Sequence, residues 1–249
     1  MFRVLILILM LSAPFLLSGQ YYSATSNALS GLSILSESVA DYSLSPVLGE
    51  SGISSFYHRP FNTPGIDIFG LHSAIAKNDL ILAVGTSYLG HKDYCRQNPY
   101  LNLNWTYQGL IVGATGHLLY DAVGQEDGQY LWSWDLGLKY TYQGYSAQLL
   151  LLHKDLYDEA YQISVKASPS RDVDLGIGYQ RNPNMEDLLS LGIVVRLNDY
   201  LGVLSSWQNQ QSRFGGGLML HLGQWSIGYS VRSHPDLDLS HAISLDYSW

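Results

Sequence analysis

The chain has 249 residues, a net charge of -8 and 14% charged residues, against 19 Tyr, 6 Trp and 24 Gly. The acidic balance argues against a nucleic-acid partner, which calls for clustered Lys and Arg, and the lone Cys95 leaves no disulfide framework or cysteine-based metal site. Aromatic and small residues stand where a soluble domain would carry Lys and Glu, yet mean hydropathy is near zero, as expected when outward apolar positions alternate with inward polar ones.

Met1-Phe2-Arg3 makes a short positive start, Val4 to Leu17 an apolar run broken by Pro14, and Ser18-Gly19 a small-residue cleavage point. Residues 1–19 read as a secretory signal peptide, because an apolar run of about 14 residues falls short of the ~20 that a spanning helix needs. No Cys follows this run, so lipid anchoring at a processed cysteine is not expected. No later stretch is long enough for a membrane helix, so any crossing is expected from strands.

Residues 20–50 have a different character. They are rich in Ser, place Leu29, Leu32, Leu35 and Val39 at roughly helical spacing, and lead into Leu44-Ser45-Pro46-Val47. They are expected to be either a plug-like filler of a barrel lumen or a free periplasmic tail. Inward Gly137, Gly176, Gly178, Gly192 and Gly228 would leave room for a filler.

Residues 51–249 alternate with period 2, the signature of strands facing two environments. The clearest run puts Tyr130, Trp132, Trp134, Leu136, Leu138, Tyr140 and Tyr142 on one face, and Ser133, Asp135, Gly137 and Lys139 on the other. Aromatic ends with an aliphatic middle mark a lipid-facing band between two girdles. Tyr130, Trp132, Tyr140, Tyr142, Trp225, Tyr247 and Trp249 are the girdle candidates. The segments 56–61 and 66–76 alternate poorly.

Connections alternate in length as well. Tight turns with Gly, Asn, Asp or Pro are expected at 77–79, 107–109, 142–144, 168–171, 197–199 and 222–224, and these would face the periplasm. Longer polar loops are expected at 59–64, 90–98, 121–128, 153–159, 181–187, 208–212 and 233–236, and these would face outward. The expected fold is all-β: a transmembrane antiparallel barrel of about fourteen strands with both ends at the periplasmic rim.

Asp135, Lys139, Lys166, Asp172, Asp174, Arg196, Arg232 and Asp246 fall on the lumen face with mixed signs. Mixed charges are expected to pair with one another or with the filler rather than to sort ions. The sequence holds no His-Glu-x-x-His or Gly-x-Ser-x-Gly motif, so the chain is expected not to be an enzyme and to need no cofactor or metal. A membrane-embedded hydrolase using His117 with a serine from another strand is a remote alternative. Cys95 reads as an incidental residue of the 90–98 loop.

The chain ends in alternating Leu239 to Trp249, an outer-membrane-type terminal strand expected to engage outer-membrane lipid and the barrel-assembly machinery. His241 is polar on its outward face, roughly 20 Å above Trp249 at a rise of ~3.3 Å and a tilt of ~40°, near the opposite girdle.

Ala28-Leu29-Ser30-Gly31, then Ser38-Val39-Ala40-Asp41-Tyr42-Ser43-Leu44-Ser45-Pro46-Val47-Leu48, resembles the N-terminal region of the PorV/PorQ-like outer-membrane proteins, related to the FadL-like barrels. Ser45-Pro46-Val47 replaces that family's Asn-Pro-Ala-like motif. Tyr57 to Phe61, Gly85 to Tyr94 and Leu119-Tyr120 extend the likeness over the first half of the chain. The resemblance implies a fourteen-stranded barrel with an N-terminal plug. It also implies an accessory role in type IX-like protein secretion or surface attachment, with secretion machinery or secreted cargo as partners, or alternatively uptake of small hydrophobic solutes.

Overall fold

A computed structural model describes residues 22–91, 94–123, 128–154, 158–181, 183, 186–209 and 213–249. The expected signal peptide lies outside them. Fourteen strands follow in chain order: β1 (Gly52–Arg59), β2 (Asp67–Lys77), β3 (Leu80–His91), β4 (Tyr94–Tyr107), β5 (Leu110–Val123), β6 (Gln129–Tyr142), β7 (Tyr145–Lys154), β8 (Asp158–Ser170), β9 (Val173–Arg181), β10 (Leu188–Arg196), β11 (Leu201–Gln208), β12 (Arg213–Leu222), β13 (Trp225–Arg232) and β14 (Ser240–Ser248). Each pairs antiparallel with its sequence neighbours, and β14 pairs with β1 to close the barrel. No helix among the described residues is long and apolar enough to cross a membrane.

The expected alternation faces as read. On β6, Trp132 is 72% exposed on the outside and Asp135 is 4% exposed on the inside. Tyr130, Tyr140, Tyr142, Trp225 and Trp249 also stand outward and exposed, with Tyr247 half-buried among them. Tyr247 packs on Trp225, ring centroids 4.8 Å apart. Such an outward band of aliphatics between aromatic ends suits lipid. His241 is outward near the far end of β14, bonded through Nδ1 to the Tyr229 hydroxyl at 2.9 Å.

Hairpin chemistry fixes the register. Gln108 and Gly109 have φ of 48° and 83°, and Gln143 and Gly144 have φ of 47° and 82°. Both central residues in the left-handed region make two-residue turns whose twist matches the strands they join.

Three expectations need correction. β3 and β4 continue through most of 90–98, so Cys95 lies on β4 opposite Gly90 rather than in a loop. Pairing persists there because inward polar groups still find partners: Arg96 is held by both Asp121 oxygens at 2.6 Å. The 168–171 turn is shorter, since β8 runs to Ser170 across a register shift between Ala167 and Ser170 that accommodates Pro169, which has no N–H to give the ladder. Asp172 then falls in the exposed turn before β9, not on the lumen wall.

The poor alternation of β1 and β2 has a packing cause. Their inward residues Phe56 and Ile68 are apolar and bury against Ala40 of the N-terminal segment together with Leu89. An inner face covered by protein rather than water loses its polar half of the pattern.

Candidate functional site

The lumen wall and residues 22–50 form one contact system. The segment begins with a short helix, α1 (Ala24–Ala28), whose first turn is capped by Ser23 Oγ accepting from the Ser26 N–H at 3.1 Å. Ser30 and Gly31, at φ of 52° and 77°, end it. Leu29, Leu32 and Leu35 therefore do not share a long helix as their spacing suggests. They still meet in one cluster with Ile34 and Leu204, while Val39 packs elsewhere with Tyr42, Leu48 and Ile81.

Inward wall side chains serve the segment's backbone. Ser206 Oγ donates to the Ala28 carbonyl at 2.6 Å, Asn102 Nδ2 to the Pro46 carbonyl at 3.1 Å, and Asn104 Nδ2 to the Leu48 carbonyl at 2.8 Å. Asn27 Nδ2 donates to Ser230 Oγ at 3.0 Å, and Gln148 Nε2 to Ser45 Oγ at 2.6 Å. A buried carbonyl without such a donor would cost about 1–3 kcal/mol. The approach is close enough to require glycine: a Cβ at Gly113 would sit 1.9 Å from the Pro46 oxygen.

Asp41 organises the segment's interior. It is fully buried and accepts from Ser26 Oγ at 2.8 Å and from Ser36 Oγ. Burial pushes its carboxyl up to about 6, against the pull of the Ser36, Ser23 and Ser26 hydroxyls. Burial likewise raises Glu50, reinforced by Glu37 and opposed by Lys139 and Lys166. The Tyr42 phenol, also raised by burial, donates to the carbonyls of Leu48 and Glu50 at 2.9 and 2.8 Å.

The lumen-face charges are brought into three groups. At the end of the barrel that carries the tight turns, Asp174 takes Arg196 Nη2 at 3.0 Å and Lys166 Nζ at 3.7 Å, and Arg196 also reaches Glu37 of the segment at 2.5 Å. Ser38 Oγ donates to Asp246 Oδ1 at 2.6 Å. On β5 and β6, His117 Nε2 lies 3.1 Å from Asp135 Oδ2 and its Nδ1 3.2 Å from Asn98 Oδ1. His117 thus meets an amide and a carboxylate, not the serine hydroxyl of the hydrolase alternative. Lys139 faces the lumen near Glu50, and Arg232 stands apart at the end opposite the tight turns.

Sequence reading missed an inward aromatic row. Phe56 stacks on His72 at 5.4 Å, His72 on Tyr100 at 5.5 Å, and Tyr100 leans on His117 at 6.0 Å. His72 Nδ1 also meets the Tyr100 hydroxyl at 2.9 Å. The available signal was large rings at alternate inward positions of neighbouring strands. Among the described residues no group of three His, Cys, Asp or Glu could hold a metal ion.

No family model matches the chain. No curated protein matches it. Among solved structures it is similar to the Ralstonia pickettii toluene transporter TbuX, with a TM-score of 0.65 at 9% identity over 92% of this chain and 98% of that one. It is also similar to the Acinetobacter baumannii outer membrane protein Omp33, with a TM-score of 0.56 at 6% identity over 80% of this chain and 99% of that one. At such identities the likeness speaks of architecture, and the architecture is a closed antiparallel fourteen-stranded barrel of the outer-membrane type.

Proposed function

We propose that the chain is a passive, non-enzymatic outer-membrane channel of the FadL-like kind for a small hydrophobic solute, with residues 22–50 acting as its plug. The observation that carries this reading is a set of apolar patches on the inner wall under the segment. Phe56, Ile68, Ile81, Leu150, Leu152 and Leu204 face inward and bury against it. Withdrawal of this segment uncovers these patches between the polar groups Asn102, Asn104, Gln148 and Ser206, and the patches suit a solute of apolar character, as a uniformly polar porin wall would not. The toluene transporter among the similar structures supports the class of solute.

The test is uptake of toluene by cells with an intact lipopolysaccharide layer. The chain with Asn27→Cys, Ser230→Cys and Cys95→Ser, oxidised to pin α1 to β13, is expected to lose the uptake that the reduced form and the wild-type chain provide. Equal uptake by cells with and without the wild-type chain overturns the reading.

A secretion-accessory role of the PorV/PorQ type is the second reading, and wall height favours it. β4, β5 and β6 have 14 residues each, against 8 to 10 in β9 to β14. With tight turns shared at the periplasmic rim, about five extra residues raise the outer rim on one side by roughly 12 Å. That shelf could seat a protein partner. Copurification of secretion machinery or cargo with the chain, lost when 121–130 is shortened, tests it.

A further inference from the structure

The outer end of the lumen, above α1, gathers two arginines and a buried imidazole around Tyr22 of the segment. Arg232 ends β13 on the inward face, 8% exposed. Its Nη2 donates to Gln208 Oε1 at 2.8 Å and its Cζ lies 5.1 Å from the Tyr22 ring centroid, while its Nε has no hydrogen-bond partner. Among the described residues no carboxylate lies within ion-pair distance of it. His58, on β1, is 5% exposed with neither ring nitrogen partnered. The same Tyr22 ring meets it edge-on at 6.3 Å between centroids. Arg213 opposes Gln208 in the β11–β12 register and stands half-buried beside them.

A buried guanidinium is costly unless an anion or full hydrogen bonding offsets it. Arg232 has an aromatic ring and one amide, which together supply less than a carboxylate would. A buried imidazole with both nitrogens idle is a second exception to the rule that buried polar groups are satisfied. The two idle groups flank one ring, and acceptor oxygens are what each of them lacks.

We propose that Arg232, His58 and Arg213 form an oxyanion subsite at the outer mouth of the barrel, with Tyr22 of the N-terminal segment set between the first two. The Arg232 fork supplies paired N–H donors, His58 a further donor from the wall two strands away, and Arg213 charge from the more open side. His234, in the neighbouring loop, is held below its ordinary pKa by burial, by Arg213 and by Arg232, against the opposing pull of Asp236. The ligand is a phosphate or carboxylate, either free or as the head of a short amphiphile. This goes beyond the transport reading, since binding at the mouth needs no passage.

The test is calorimetric titration of the purified full-length mature chain, in detergent at fixed ionic strength, with inorganic phosphate and separately with n-butyl phosphate. Binding of inorganic phosphate assigns the site to free anions, and binding of butyl phosphate alone assigns it to a headgroup on an apolar stem. In either case Arg232→Gln is expected to weaken binding about tenfold or more, His58→Phe about threefold, and Arg181→Gln, an exposed arginine on the outer face of β9, not at all. Arg232→Lys, which keeps the charge but loses the fork, is expected to fall between wild type and Arg232→Gln. Failure of wild type to bind either probe overturns the subsite, and so does undiminished binding by a folded Arg232→Gln chain. Should Arg232→Gln not fold, undiminished binding by His58→Phe overturns it.

Discussion

The side-chain amide of Asn102 donates both to the Pro46 carbonyl at 3.1 Å and to Thr115 Oγ1 at 2.7 Å, so one fully buried wall residue holds a turn of the N-terminal segment to the barrel. Replacing it by Leu leaves the Pro46 carbonyl without its donor, at about 1–3 kcal/mol. Asn102→Leu is expected to speed hydrogen exchange at 45–49 by tenfold or more while β4 and β5 stay protected. Unchanged exchange at 45–49 would show that the turn is held by other contacts.

Gly113→Val places a side chain where the Pro46 oxygen sits. The turn must leave, since a Cβ there lies 1.9 Å from that atom. The expected outcome is a barrel that still runs as folded on a heat-modifiability gel, but whose segment is cut by chymotrypsin near Tyr42. A segment as resistant as wild type would refute the close approach.

Acid should tighten the seating of the segment. Asp41 has its folded-state pKa raised from 3.8 to about 6, so the seated form binds a proton that the unseated form releases. The stabilisation is complete below about pH 3.8 and is lost as pH rises through 6, with no further change above. Glu50 shifts in the same direction, so Asp41→Asn serves to isolate the Asp41 share. Exchange protection at 24–42, corrected for intrinsic rate, is expected to fall between pH 4 and pH 7 in wild type and to fall less in Asp41→Asn.

The outward face answers to lipid. Leu136 is 44% exposed between the aromatic ends of β6, and Leu136→Arg there is expected to cost about 2–4 kcal/mol in lipid vesicles. The measurement is the urea midpoint of unfolding by tryptophan fluorescence, and a shift near zero would place this position outside the hydrocarbon band.

What could be read in the chain was what depends on local pattern. Leu136 against Asp135 states two environments in adjacent letters, and Gln108-Gly109 and Gln143-Gly144 announce turns whose backbone admits few other residues. β1 and β2 were harder because Phe56 and Ile68 face a protein neighbour, which cancels the contrast. The segment's path was not legible, since Leu29 and Leu35 look helical until Ser30 and Gly31 turn the chain between them. Nor were Arg232, His58 and Tyr22 a visible group. They come from β13, β1 and the segment, and only barrel closure makes them neighbours.

Ser38 reaches two strands at once, donating to Asp246 on β14 and lying 3.5 Å from Ser54 Oγ on β1. These strands are the first and last to be made, and their pairing is the seam of the cylinder. A stitch across that seam exists only after it has shut, so the segment's final anchorage reports that assembly is finished. An immature barrel with β1 and β14 apart would lack this fastening, and the outer wall would gain its last strand pair and the Ser38 stitch in the same step.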